Sequence, residues 1–181
     1  VDFDPKRGYS SPDDPFTPIT AVGVYLQWMD AMVCLAVPPK TLTWEQAQEV
    51  VKPLPEVMLF RTEKEMLDTF LDMIDDADVL SGWTSEGYDI PYIVNRITKT
   101  LGKAETRRMC LLKKLPKTRS YEKFGKDVNT YDLVGRIHLD YLELYRKYNY
   151  EERHSYRLDY IGEMEVGEKK VPYEGSLDRL Y

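Results

Sequence analysis

The sequence predicts a single α/β domain in which helices pack on a sheet. Two apolar segments, residues 19–26 and 32–37, are typical of strands, and the turn signal at residues 29–30 joins them into a predicted hairpin. A further strand at residues 79–80 leads into a helix that begins near Asp89. Strands and helices that alternate over short connections are typical of α/β layering.

Two helices are predicted from capping boxes. In a capping box, a Thr oxygen accepts a backbone N–H three residues later, and the Glu or Gln there accepts the N–H of the Thr. Thr43 with Gln46 precedes a short helix that Pro53 ends, and Thr62 with Glu65 precedes a longer one. The longer helix carries one apolar stripe at helical spacing, formed by Met66, Leu67, Phe70, Leu71, Ile74 and Ala77.

The segment around Asp89 places a carboxylate between a strand and a helix. Ser81 and Gly82 close the strand, and Pro91 fits only the first turn of a helix, so the helix begins near Asp89. Gly102 predicts its end. Asp89 has two interpretations: a helix N-cap, which needs no function, or a ligand at the carboxyl end of a strand, where open α/β sheets bind ligands.

The rest of the chain is less regular. Residues 56–60 predict a brief strand, the stretch beyond Gly102 is predicted to be irregular, and residues 132–140 predict a strand. Residues 141–150 predict an aromatic-rich helix. We expect its apolar side chains to serve as core and groove lining rather than as base-stacking platforms: Tyr141, Leu142, Leu144, Tyr145 and Tyr148.

Composition sets the class of protein. A chain of 181 residues with 43% hydrophobic content supports one domain with a core. Cys34 and Cys110 have apolar neighbours and no metal spacing, which indicates buried thiols in a reducing compartment. His138 and His154 share no ligand spacing, so core or solvent roles are expected. No apolar run reaches the ~20 residues that span a bilayer, so we expect a soluble chain without a membrane partner.

The charge is unevenly distributed. A net charge of −6 argues against a broad basic face for duplex DNA. Residues 103–126, however, hold nine basic and two acidic residues, a local charge of +7 that leaves −13 elsewhere. Its candidate phosphate contacts are Arg107, Arg108, Lys113 and Lys114, and the alternative is a solvated loop.

The string from Gly82 to Arg96 resembles the second exonuclease motif of family B DNA polymerases, most closely those of T-even-like bacteriophages. In that motif a Gly-Trp-Asn string leads through an aromatic residue to a catalytic Asp. The matching positions are Gly82-Trp83, Tyr88-Asp89, Pro91-Tyr92-Ile93 and Asn95-Arg96, and Thr84 stands where the family usually has Asn. Other similar stretches are residues 18–21, 139–145, 155–161 and 172–175.

The resemblance implies a fold and a function. The fold is a ribonuclease H-like mixed sheet flanked by helices, a DEDD-type exonuclease domain. Residues 1–181 would form a single such domain, incomplete at one or both ends, in a fragment of a larger DNA polymerase. Its implied function is proofreading, the removal of nucleotides from a DNA 3′ end by two-metal-ion hydrolysis. An isolated fragment can be inactive, and the alternative is a non-catalytic nucleic-acid-binding or scaffold domain.

The resemblance also implies partners and contacts. The partners are a single-stranded DNA 3′ end and the polymerase domain of the same parent chain, in the cytoplasm of a host cell. Trp83, Thr84 and Tyr88 would contact nucleic acid. The metal site would take two Mg²⁺ or Mn²⁺ ions about 3.5–4 Å apart, and such cations prefer oxygen ligands.

Four acidic residues hold the ions in the resembled family: an Asp-x-Glu on the first strand, the Asp matched by Asp89, and a last Asp that follows a Tyr by four residues. Asp2 and Asp4 are candidates for the first pair, with Asp4 in place of Glu. Alternatively, they lie in a loop after a motif that precedes this chain.

The last motif is not predicted within this chain. Tyr156 and Asp159 are three residues apart rather than four, so we expect Asp159 to cap or pack near a helix. Asp140 ends a predicted strand. Its carboxylate either faces the cleft or makes a structural hydrogen bond.

Overall fold

The computed structural model describes residues 1–123 and 125–172. Its elements follow in the order β1 (Ala21–Leu26), β2 (Ala31–Ala36), α1 (Trp44–Val51), β3 (Val57–Leu59), α2 (Glu63–Met73), β4 (Val79–Gly82), α3 (Asp89–Thr100), β5 (Lys117–Lys123), β6 (Lys126–Asp132), β7 (Ile137–Asp140), α4 (Tyr141–Tyr148) and α5 (Leu158–Val166). Two 3₁₀ helices, Gln27–Met29 and Lys103–Met109, complete the described elements. Residues 173–175 of the similar stretch 172–175 lie outside the described residues.

The strands form three hydrogen-bonded sheets. β1 and β2 pair antiparallel, β3 adds to β2 in parallel, and β5 pairs antiparallel with β6. β4 and β7 run parallel, with Gly82 opposite Asp140 at their carboxyl ends. Parallel and antiparallel pairing with packed helices confirms the predicted mixed α/β fold.

The hairpin and the capping boxes are confirmed. Residues 27–29 turn between β1 and β2 as a 3₁₀ helix, and Asp30 takes the left-handed conformation that Asp tolerates at such a turn. At α1, Thr43 Oγ1 accepts the Gln46 N–H at 3.3 Å while Gln46 Oε1 accepts the Thr43 N–H at 2.8 Å. α2 begins with the same reciprocal pair at Thr62 and Glu65.

The core lies between the helices α2 and α3 and the strands. All six residues of the predicted stripe are buried, as expected, but α2 ends at Met73, so Ile74 and Ala77 lie beyond the helix. α3 contributes Ile90, Tyr92, Val94 and Ile97 to the same cluster. Cys110 is buried and Cys34 half-buried, and burial raises the pKa of both thiols. Within the described part of the chain, no helix is long and apolar enough to cross a membrane.

Two secondary-structure predictions were wrong. The basic stretch is not irregular, because it forms the 3₁₀ helix Lys103–Met109 and the hairpin of β5 and β6. Polar side chains fill these strands, so they lack the apolar alternation that indicates a strand. Within residues 132–140, only Ile137–Asp140 continues as a strand. A turn intervenes at Gly135, which has a φ of 85° and would bring a Cβ within 2.7 Å of a Leu112 side-chain atom.

Candidate active site

The candidate site lies at the carboxyl ends of the parallel strands β4 and β7. β4 ends at Gly82, a loop of residues 83–88 follows, and α3 begins at Asp89. β7 ends at Asp140, directly opposite Gly82, and α4 begins at the next residue. Two acidic residues therefore stand where two strands pass into two helices.

Asp89 is the first residue of α3 and not its N-cap. Tyr88 occupies the N-cap position and makes no side-chain capping hydrogen bond. The local interpretation of Asp89 as an N-cap is therefore wrong. Asp89 as a whole residue is exposed at the start of α3, and the protein beside its carboxylate is close enough to raise the pKa of that group.

The surroundings of Asp89 disfavour its charge. The nearby protein withdraws water from the carboxylate and raises its pKa, and the negative charge of Asp140 adds to this rise. The backbone N–H of Asp89 itself and the amino group of Val1 act in the opposite direction, and the net pKa is still raised. Raised carboxyl pKa values are typical of sites that bind ions or exchange protons.

Asp140 is buried and makes structural hydrogen bonds. Its Oδ1 accepts the N–H groups of Leu142 at 3.0 Å and Thr84 at 3.1 Å, and its Oδ2 accepts the N–H of Glu86 at 3.0 Å. Asp140 thus caps α4 and holds the 83–88 loop. Of the two predicted roles for this carboxylate, the structure shows the structural one.

The loop is also held through Ser85 and Glu86. Ser85 Oγ donates to Gly82 O at 3.0 Å and lies 2.9 Å from His138 Nε2. The Cβ of Ser85 would lie 2.9 Å from a Cβ at position 82, so this close approach requires Gly82. Burial lowers the pKa of His138, which favours its neutral form. Glu86 O accepts the Thr130 hydroxyl at 2.7 Å, and the Glu86 carboxylate pairs with Arg119 of β5.

The aromatic residues of the predicted DNA contacts are packed against the protein. Trp83 Nε1 donates to Tyr156 O at 3.1 Å, and the indole lies 5.8 Å from the ring of Tyr145 and 6.2 Å from that of Tyr141. Tyr88 stacks on Tyr92 at 5.5 Å. Both Trp83 and Tyr88 are half-buried and border the loop. Their contact with nucleic acid stays a prediction.

The two N-terminal acidic residues occupy different settings. Asp2 donates its N–H to Pro18 O at 3.0 Å, and the Val1 amino group interacts electrostatically with both Asp2 and Asp89. The first residues therefore lie near Asp89. Asp4 sits in a turn, where the N–H groups of Lys6 and Arg7 donate to its Oδ1 at 2.8 and 3.1 Å and lower its pKa.

A complete metal site is not formed by the residues described. Within residues 1–123 and 125–172, no three His, Cys, Asp or Glu side chains come close enough to hold a metal ion. The assignment of Asp2, Asp4 and Asp89 as metal ligands stays a prediction.

The basic candidates divide into two kinds. Arg108 pairs with Asp68 at 2.5 Å and Asp72 at 2.7 Å, and Lys113 pairs with Asp75. These two cations face acidic residues of α2 and the turn after it. Arg107 and Lys114 are exposed. Whether any of the four cations contacts phosphate stays a prediction.

Comparison with known proteins identifies the family. A model of the exonuclease domain of DNA polymerase family B matches residues 12–161. This chain belongs to that family. The predicted ribonuclease H-like α/β fold agrees with this membership, and the resemblance that rests on the Gly82 to Arg96 string is confirmed.

Several relatives of this exonuclease-family chain are viral DNA polymerases. The DNA-directed DNA polymerase of Escherichia phage RB69 is 34% identical over 125 residues, which are 68% of this chain and 14% of that protein. The polymerase of Enterobacteria phage T4 is 29% identical over the same shares. The DNA polymerase of Bombyx mori nuclear polyhedrosis virus is 30% identical over 119 residues, 64% of this chain and 12% of the relative. The chain thus spans a small part of each relative.

Sequence reasoning missed how the loop of this exonuclease domain is held. The sequence left a structural hydrogen bond open for Asp140 without naming its partners, and it gave no role to Glu86. A signal existed for Asp140, because an Asp at the end of a strand and just before a helix pattern is a typical N-cap. The bonds to Thr84 and Glu86 join residues more than 50 positions apart, and local patterns do not register them.

Thr84 → Asn is expected to stabilise the protein by about 1 kcal/mol. Thr84 has a φ of 61°, a left-handed conformation that is unfavourable for a β-branched residue and several-fold enriched for Asn. Asn is also the usual residue of the resembled motif at this position. Urea unfolding of both proteins at neutral pH measures the change, and a Thr100 → Asn variant, on an ordinary helical backbone, serves as the control. A stability gain that is equal at both positions would contradict the strain at Thr84.

Proposed function

We propose that this chain forms the proofreading 3′–5′ exonuclease domain of a longer DNA polymerase. The observation that carries the proposal is Asp89, an exposed acidic residue on the first turn of α3 beside the end of β4, in a chain of the exonuclease family. The named relatives are DNA polymerases of which the chain covers 12–14%. A polymerase domain of the same parent chain is therefore the proposed partner, acting in the cytoplasm of a host cell.

The proposed substrate is the 3′ end of a single DNA strand. Hydrolysis there is an in-line displacement at phosphorus, which divalent ions promote by stabilising the entering and leaving oxygens. Asp89 offers the hard oxygen ligand that Mg²⁺ or Mn²⁺ prefers. The described residues do not by themselves fit a two-metal centre, because they contain no group of three ligating side chains. The proposal therefore requires acidic ligands in addition to Asp89.

The lack of a group of three ligating side chains among the described residues favours a second candidate function. A domain whose residues 1–123 and 125–172 hold no complete ligand set can bind a single strand without cutting it, as a non-catalytic module of the same fold. The two candidates differ in metal dependence. Hydrolysis requires a divalent ion, whereas binding through phosphates depends mainly on salt.

A polarity assay on the whole chain tests the proposed function. We expect a 5′-labelled single strand to shorten stepwise in Mg²⁺ or Mn²⁺ and to stay intact in EDTA. A strand of the same sequence with phosphorothioate linkages at its 3′ end is the matched control and should resist shortening. Binding without shortening, equal with and without metal, would support the non-catalytic module.

A further inference from the structure

We propose that Asp140 is a positioning residue that holds the loop from which Asp89 projects. The inference rests on the proposed function, because it assigns a second residue to the same site. Asp140 is 8% exposed, and its carboxylate faces the 83–88 loop from the adjacent strand β7. It does not need to touch the substrate to act in this way.

The carboxylate of Asp140 accepts hydrogen bonds from the 83–88 loop at two backbone positions. Thr84 N–H donates to Oδ1 at 3.1 Å and Glu86 N–H donates to Oδ2 at 3.0 Å, so the two oxygens bracket Ser85. Hydrogen bonds to an ionised acceptor are stronger than those between neutral groups. Both oxygens of one buried side chain therefore determine the path of three consecutive residues.

These hydrogen bonds hold a strained segment of the backbone. Thr84 has a φ of 61°, a conformation that persists for a β-branched residue only when its surroundings hold it there. The bond from the Thr84 N–H to Asp140 supplies that hold. Without it, the backbone at Thr84 is expected to relax toward an ordinary conformation.

The position of the 83–88 loop determines the position of Asp89 through a backbone hydrogen bond. Ser85 O accepts the N–H of Ile90 at 2.9 Å, a bond that closes the chain between the loop and the first turn of α3. Asp89 lies inside this closed segment. A shift at Thr84 or Glu86 therefore moves Ser85 O and, with it, the first turn that carries the Asp89 carboxylate.

A Ser at position 140 separates the two roles of Asp140. Ser caps a helix about as well as Asp, so the bond to Leu142 N–H and the start of α4 are retained. Its single oxygen cannot bracket Ser85 in the way that two carboxylate oxygens do. Asp140 → Ser thus removes the loop contacts and keeps the cap.

The experiment compares Asp140 → Ser with Thr62 → Ala. Thr62 caps α2 away from the loop, so its loss serves as a matched control for a general loss of stability. On a single strand in Mg²⁺ or Mn²⁺, we expect kcat of Asp140 → Ser to fall about 10- to 100-fold, the range that a misplacement of ~1 Å produces, with KM within about twofold. Amide hydrogen exchange should rise at residues 84–90 and stay unchanged in α4. Thr62 → Ala should retain its kcat.

A rescue variant distinguishes positioning from a structural role. Adding Thr84 → Asn to Asp140 → Ser should recover part of kcat, because Asn adopts the left-handed conformation without the carboxylate. An unchanged kcat in Asp140 → Ser, or a fall that Thr62 → Ala shares, would overturn the proposal. If the chain without substitutions shortens no DNA, the proposed function fails. Positioning is then judged from the Ile90 amide, and full protection of that amide in Asp140 → Ser overturns it.

Discussion

Asp89 → Ala is expected to lower the kcat of metal-dependent shortening of a DNA 3′ end on the order of a thousandfold. A carboxylate that holds a catalytic ion contributes several kcal/mol to the transition state, and each 1.36 kcal/mol is about tenfold in rate. Initial rates on a 5′-labelled single strand measure the loss. Asp159 → Ala is the matched control, because Asp159 also lies in the first turn of a helix and is exposed.

Replacement of Asp89 by an uncharged residue is expected to keep or raise the free energy of unfolding. The folded protein raises the pKa of Asp89 above its ordinary value of 3.8, so the native state holds the proton more tightly than the unfolded state. The contribution of this group to stability therefore falls as pH rises through the two pKa values, and it is least favourable at neutral pH. The facing charges are Asp140, which adds to this effect, and the amino group of Val1, which reduces it.

Urea unfolding of Asp89 → Asn checks this sign. Asp89 → Asn should be more stable than the protein without substitutions at pH 7, and this difference in stability should shrink as the pH is lowered toward 4. A residue whose removal ends activity while stability rises is typical of a functional site. Full activity in Asp89 → Ala, or a large loss of stability, would refute the assignment of Asp89.

Local signals in the sequence were sufficient for much of the fold. Each capping box involves groups only three residues apart, so Thr43 and Thr62 defined helix starts without knowledge of the fold. Pro91 fixed the start of α3 for a similar reason, since its ring restricts the backbone locally. The apolar stripe of α2 predicted its buried face because one side of that helix meets the core.

Elements that depend on distant partners were not predicted. The β5–β6 hairpin carries polar side chains, and its place is set by contacts such as Arg119 with Glu86 and Asn129 with Asp13. These pairs join residues 33 and 116 positions apart. Periodicity reports which face of an element is apolar, and it does not report which distant backbone an exposed polar strand will meet.

The candidate site shows the same division. The position of Asp89 followed from a strand, a proline and a motif, all within residues 79–96. The role of Asp140 depended on the register that sets Gly82 opposite it, which pattern reading alone does not provide. Trp83 matched the motif as a single residue, whereas its packing against Tyr145 and its hydrogen bond to Tyr156 O required the placement of α4 and of the segment before α5.

Arg96 → Met is expected to cost about 3–5 kcal/mol of stability, the largest loss that we predict for a single charged side chain in this chain. Arg96 and Glu63 form a buried pair, with side chains 7% and 10% exposed. Arg96 Nε donates to Glu63 Oε1 at 2.8 Å, and a second bond joins Nη2 to Oε2. Removal of one partner leaves the other charge buried without compensation.

The pair also connects three parts of the fold. Glu63 Oε1 accepts the N–H of Ile19 at 2.7 Å, and Arg96 Nη1 donates to Pro15 O at 2.9 Å. α2, α3 and the segment before β1 therefore meet at one ion pair. A loss of 3–5 kcal/mol is a large part of the roughly 5–15 kcal/mol that stabilises a typical domain. In a protein of this length it lowers Tm by roughly 6–20 °C.

Two variants show whether the unpaired charge is the cause. Adding Glu63 → Gln to Arg96 → Met should recover part of the loss, because the Gln oxygen still accepts the Ile19 N–H and carries no charge. Arg108 → Met should cost only about 1 kcal/mol or less, because its acidic partners Asp68 and Asp72 are largely exposed to solvent. Thermal unfolding of the four proteins measures these effects. If Arg96 → Met and Arg108 → Met lose equal stability, burial is not what makes the Arg96 pair important, and the packing of its aliphatic stem against the surrounding core becomes the better explanation.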